Sequence, residues 1–376
     1  MSKKPKNPMK TLVKIIIALA VALALCAVIV TGITTLRSQL LQQKIADTEL
    51  ANKQKEQAYL IAKAEYENAT KTGENLAWPT PKAEGWDVLD LSTFPLENTR
   101  METVDRQSLL KGGLMLLNTW HALPADFTEE GLESVRKTTN SRVPVRDNDV
   151  VLFPAAAEAI DMLVMDAGLQ GMKDYIVQNA YRTNEEQTNL WNKYYEDLSR
   201  HYEGEILHEQ TLKKVNYPGT SDYQSGLSFE MKLYNRDDAS ITGSPFQETA
   251  QGQFFTDNCW KYGVIFRFPA KDWPNEAWTD KSYKTGVSSK LNLYRYVGVA
   301  HSTAMHVMEM CLEEYIEYLM EHPHIAIYED GALKYEIYRQ PYGDEAALNI
   351  SVPQAAQSYT ASVDNMGGVV TAFVYE

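Results

Sequence analysis

The segment PGTSDYQSGLSFEM, residues 218–231, decides how this chain is read. It has the cadence of a metal-binding loop: a Pro-Gly turn, small polar residues, then an alternating run that ends in an acid. Within it, Tyr223 and Glu230 are the side chains whose chemistry bears on whether it can hold a metal. The neighbouring segments decide whether this is a metal site or the remnant of one.

Around this loop the pattern is mixed. LFPAAAEAIDMLVMDAGLQG, from Leu152, carries apolar residues at helical spacing. NEEQTNLWNKYYEDLSRHY predicts a helix capped by Thr183 or Asn184. YIVQNAY, LSFEMKL, VIFRFP and GLMLLN (residues 113–118) predict strands. TAQGQFFTDNCWKYG predicts a helix closed by Gly263, and HSTAMHVMEMCLEEYIEYLMEH a single long helix. Beyond Pro323 two hairpins are expected, one around Asp330-Gly331 and one around DNMGG, which together form a small β appendage.

The N-terminus reads differently. Residues 15–36 are 22 consecutive uncharged, mostly apolar residues. At ~1.5 Å per residue they span a bilayer core of roughly 30 Å. Lys3, Lys4, Lys6, Lys10 and Lys14 precede them, which keeps the N-terminus cytoplasmic and the body outside. A cleaved signal peptide would have a shorter apolar core and a small-residue cleavage site, and TTLRSQLLQQ offers none. The expected layout is a basic tail (1–14), a transmembrane signal anchor (15–36), a helical stalk (37–72), a linker (73–112), a mixed domain (113–320) and the β appendage (321–376). The expected location is the cell membrane, single-pass.

The net charge is −14 although the first fourteen residues carry five Lys and no acid, so the body is more acidic still. That excludes nucleic acid as a partner, because phosphates demand the opposite sign. Cys259 and Cys311 read as free buried thiols, and no Cys/His cluster has zinc-binding spacing.

Four segments line up in order: NAYRTNEEQ (179–187), PGTSDYQSGLSFEM (218–231), YGVIFRFP with the later KTG, and KLNLYRYVG (290–298). In this order and spacing they resemble the VanY-like zinc D-alanyl-D-alanine carboxypeptidases, which trim the terminal D-alanine from peptidoglycan stem peptides. The resemblance extends upstream to LMLLNTWHALPADF and downstream to CLEEYI, about two hundred residues in all. It implies an α+β fold, with helices around a small, mostly antiparallel sheet. It also implies a zinc site: a Ser-x-His loop and a following Asp give two ligands, and a later Glu-x-x-His gives the general base and the third. Three protein ligands leave an open position for water, whose pKa the metal lowers to about 7.

Carried over residue by residue, the resemblance puts Tyr223 at the first His, Glu230 at the Asp, Lys290 at the catalytic Glu and Leu293 at the last His. Arg182, Gln187, Ser221, Gln224 and Gly226 match the family pattern. Leucine cannot bind a metal, tyrosine binds one only as a phenolate against a free pKa of ~10, and lysine adds positive charge. His201, His208, His301 and His306 read as surface or packing residues, and Arg267 and Arg295 as structural. The expectation is therefore no catalytic residue, no bound zinc, and a cleft lined by Arg182, Gln187, Ser221 and Gln224. Peptidoglycan stem peptides or cell-wall enzymes are the implied partners. The alternative is an active D,D-carboxypeptidase with a rebuilt metal site. Two roles stay open for Lys290: a cation facing the ligand, or an internal ion pair with Glu230.

Overall fold

The alternation of LSFEMKL builds the centre of the molecule. Phe229, Met231 and Leu233 enter a core shared with Tyr175, Val177, Phe255 and Tyr294, while Ser228 and Glu230 face the other way. This computed structural model describes residues 85–275, 278–287 and 290–375, together with Gln39 and Gln43. The expected anchor (15–36) and, apart from those two glutamines, the stalk (37–72) lie outside the described residues. Among the described residues no helix is long and apolar enough to cross a membrane.

The central sheet is antiparallel, in the order Tyr175–Asn179, Ser228–Leu233, Leu293–Tyr296, Val264–Phe266. The Pro154–Leu169 helix, with Pro154 in its first turn, covers the core face. Thr183 caps the Asn184–Ser199 helix through a reciprocal pair with Glu186, so Arg182 is held immediately ahead of a fixed helix start. The mixed fold with antiparallel sheets is the expected one.

A second sheet departs from expectation. Its order is Trp86–Asp90, His324–Glu329, Ala332–Pro341, Gly368–Val374, Ser358–Val363. Its first strand and the Thr99–Asp105 strand, which pairs with Ala347–Pro353, fall where a linker was expected. Nor do the C-terminal strands stand apart. Val88, Ile325, Ile337 and Val370 share one core with Ala304, Leu312, Tyr315 and Leu319, so helices of the mixed domain form the sheet's other layer. The Asp330-Gly331 turn is present, with both residues at positive φ (49° and 80°), as a tight hairpin requires.

Two further elements differ. The long C-terminal helix is broken into Val299–Met308 and Leu312–Glu321 by Glu309 at φ 51°, and the Glu314 carboxylate accepts the Cys311 N–H at 3.2 Å to start the second. Residues 114–117 join no sheet. Arg295 donates to the Gly113 and Met115 carbonyls at 2.9 and 3.1 Å, and Arg267 to that of Leu117 at 3.4 Å. Buried guanidiniums there satisfy backbone groups that a neighbouring strand would otherwise pair.

Candidate functional site

Sheet register brings the site together. Glu230 pairs with Asn179 on one side and with Leu293 on the other, so three side chains form a row on the face away from the core. The motif loop passes over this row as a short turn, Asp222–Ser225, closed by Gly226 at φ 72°. A side chain at Gly226 would press within 2.7 Å of Phe153, so both the backbone angle and the packing require glycine.

Asp222 anchors that turn from below. It is buried and accepts from Arg295 Nη1 at 3.0 Å and from the Ser228 hydroxyl, with Arg267 Nε at 3.2 Å as a second cation, off-line for a hydrogen bond. Burial would raise its carboxyl, but the two guanidiniums outweigh burial and hold it below the usual carboxylate range. Arg267 also forms a double hydrogen bond with Glu313, at 2.8 and 2.9 Å. Arg267 and Arg295 are thus structural, as their setting in RFP and YRYVG suggested.

Above this base sit the four residues that the resemblance puts at metal and base positions. Tyr223 and Leu293 share a small buried cluster with Phe268. The Tyr223 hydroxyl donates to Glu230 Oε2 at 3.1 Å, and Lys290 Nζ donates to the same oxygen at 3.0 Å and to the Tyr223 hydroxyl. Asn179 Nδ2 reaches Oε2 at 2.6 Å, and Asn292 Nδ2 reaches Oε1 at 3.1 Å. Of the two roles open for Lys290, the geometry shows the internal ion pair. Nothing in the sequence alone marks the two asparagines as site residues, although both lie in the quoted motif segments.

Charge states follow from these contacts. Burial works against the Glu230 carboxylate, but Lys290 and the amide donors outweigh it and pull the group down to about 2. Burial and the adjacent Glu230 push the Tyr223 phenol well up, so it stays neutral. Burial lowers Lys290, against the opposing pull of Glu230.

This donor set does not fit the zinc site that the resemblance implies. A neutral phenol whose oxygen is hydrogen-bonded to both Lys290 and Glu230 has no phenolate to offer, and Leu293 has no donor atom. Among the described residues, no group of three His, Cys, Asp or Glu side chains is placed to hold a metal ion. The histidines are engaged elsewhere: His208 packs on Trp191, His301 hydrogen-bonds Tyr315 at 2.9 Å, and His306 stacks on Trp260 at 4.2 Å.

The four expected cleft residues separate into one partly open group and three interior ones. Gln187 is fully buried and bridges Arg182 Nη1 at 2.7 Å to the Asn216 carbonyl at 2.6 Å. Ser221 and Gln224 are also buried, and Gln224 accepts from the Gly219 N–H at 2.7 Å, tying the loop to itself. Arg182 alone keeps a partly open surface. Its guanidinium lies 4.5 Å from the Tyr223 ring centroid, and its hydrogen-bond partner, Gln187, is neutral.

The family model of D-alanyl-D-alanine carboxypeptidase (VanY) matches residues 150–298. A D-alanyl-D-alanine carboxypeptidase of Enterococcus faecium is 26% identical over 277 residues, which is 73% of this chain and 79% of that protein. The bifunctional D-Ala-D-Ala dipeptidase and D-Ala-D-Ala carboxypeptidase VanXYC of Enterococcus gallinarum is 32% identical over 178 residues, 47% of this chain and 84% of its own. Among solved structures, the vancomycin-resistance D,D-dipeptidase VanXYg, in complex with a D-Ala-D-Ala phosphinate analogue, aligns with a TM-score of 0.57 at 22% identity. That alignment covers 73% of this chain and 99% of the other, and it is a likeness of fold.

Proposed function

This chain belongs to the VanY family of D-alanyl-D-alanine carboxypeptidases, and on that premise we propose that it is a member that binds peptidoglycan stem peptides without cleaving them. The observation that carries the reading is the pairing of Arg182 with the altered centre. The guanidinium is kept at the family position, half-open and without an acidic partner among the described residues. A guanidinium of this kind binds a terminal carboxylate through paired, charge-assisted hydrogen bonds. The groups beside it, Tyr223, Glu230, Lys290 and Leu293, supply neither a third ligand nor a carboxylate base. Bound peptides or the wall enzymes that act on them are the partners of this reading.

The competing reading is an active D,D-carboxypeptidase, supported by the catalytic relatives and by the retained frame of Arg182, Gln187, Ser221 and Gln224. One experiment separates the two. A stem peptide ending in D-Ala-D-Ala is titrated calorimetrically into the protein, with and without added zinc, and free D-alanine is assayed in the same samples. Binding without release is expected, weakened by ~1.5–3 kcal/mol in Arg182→Ala. Release of D-alanine decides for the enzyme, and absence of heat at millimolar peptide removes the binding reading.

The same proposal sets the body outside the cell on an anchor formed by residues 15–36. Protease added to wall-stripped intact cells then removes the body. A body that survives as well as a cytoplasmic control reverses the orientation.

A further inference from the structure

Three donors converge on one oxygen of Glu230: Asn179 Nδ2 at 2.6 Å, Lys290 Nζ at 3.0 Å and the Tyr223 hydroxyl at 3.1 Å. Any external cation bound to that oxygen has to displace them. Across the positions that would surround a metal in the family, Tyr223 is a neutral phenol, Leu293 is apolar and Glu230 carries the single formal negative charge. One ammonium balances that charge, whereas a divalent ion leaves an excess beside Arg182, whose guanidinium already lies over the Tyr223 ring at 4.5 Å. Lys290 Nζ lies 4.8 Å from the centroid of the same ring, so the aromatic group is flanked by two cations and tied to one anion.

We infer that Lys290 is a tethered cation standing in for the metal: its ammonium holds Tyr223 and Glu230 together as an ion would, so the centre is filled by the chain itself and is indifferent to metal supply. The chemistry differs in kind. An ammonium donates hydrogen bonds and fixes charge, but it has no vacant coordination position in which to activate water. The inference stands on these contacts alone and holds whether or not the cleft binds a peptide.

The test removes the tether and offers the cation back. In Lys290→Ala, loss of the cationic partner of Glu230, from a side chain over a third exposed, lowers the melting temperature by about 2–5 °C. n-Propylammonium, which replaces both the missing stem and the charge, then recovers at least half of that loss. n-Propanol, of the same shape without the charge, recovers none, and neither compound shifts the unaltered protein. Zinc and chelators leave the unaltered protein's melting temperature where it was. If Lys290→Ala does not fold, Lys290→Met is compared with Lys290→Met combined with Glu230→Gln, and the double variant is the more stable because no unpaired charge is left. Equal rescue by propanol, a Lys290→Met variant as stable as the unaltered protein, or a rise in melting temperature with zinc overturns the inference.

Discussion

Leu293 lies directly opposite Glu230 on the neighbouring antiparallel strand. The pairing places the two positions side by side on one face, as two ligands of one ion have to be. Of the two paired positions, Glu230 carries a carboxylate and Leu293 no donor atom. Supplying the donors that the resemblance implies, with Tyr223→His, Glu230→Asp, Lys290→Glu and Leu293→His together, yields one zinc per chain by elemental analysis. Leu293→His alone, with Lys290 still on Glu230, binds none. A folded quadruple variant without zinc means that the loop has moved from the geometry the register implies.

The base under the motif loop gives a second expectation. Arg295 is buried with Asp222 as its carboxylate partner, and Arg267 lies 3.2 Å from the same oxygen. Asp222→Asn keeps the shape and removes the charge, leaving Arg295 buried without a counter-ion. Breaking a buried pair in this way costs about 3–5 kcal/mol. Urea unfolding measures it, and a loss below ~1 kcal/mol, the scale of an exposed ion pair, means that Asp222 is not the anchor.

Much of this was legible from the sequence, and the reasons are local. Alternation in LSFEMKL fixes which face Glu230 occupies, Thr183 and Glu186 announce a helix start, and Asp330-Gly331 announces a turn. What was not legible is long-range. Nothing in WDVLD signals that Trp86–Asp90 pairs with His324–Glu329. No pattern in GLMLLN reveals that Arg267 and Arg295 take the place of a neighbouring strand. The helix break at Glu309 has neither proline nor glycine to mark it. Asn179 and Asn292 were invisible as site residues because an amide acquires its role only from the carboxylate it faces.

The second sheet carries its own pH dependence. His324 Nδ1 lies 2.8 Å from the Phe94 carbonyl and Nε2 lies 2.7 Å from Glu336, so both nitrogens face acceptors and both need protons. Burial opposes the imidazolium, but Glu336 and the carbonyl outweigh it and raise the histidine above its ordinary value. A raised histidine stabilises the fold fully below the unfolded pKa of about 6.5 and loses that contribution as pH rises through the folded value. The melting temperature measured across pH 5.5 to 9 thus falls more steeply above about pH 6.5 for the unaltered protein than for His324→Gln. Parallel profiles leave the pair without a role in stability.

Gln187 offers the sharpest separation of binding from folding. Its Oε1 accepts from Arg182 Nη1 at 2.7 Å, and its Nε2 donates to the Asn216 carbonyl at 2.6 Å. Gln187→Glu turns the neutral acceptor into a carboxylate of nearly the same shape, against the guanidinium proposed to receive the peptide terminus. The charge on Arg182 is then answered from within. The side chain also loses its donor to Asn216, which costs about 1–3 kcal/mol of stability for the unsatisfied carbonyl. Peptide affinity falls at least tenfold, as in Arg182→Ala, and the two changes together weaken binding no further than either alone, because both remove the same free charge. Additive losses in the double variant, or full affinity in Gln187→Glu, show that the terminal carboxylate is received at some other group than Arg182.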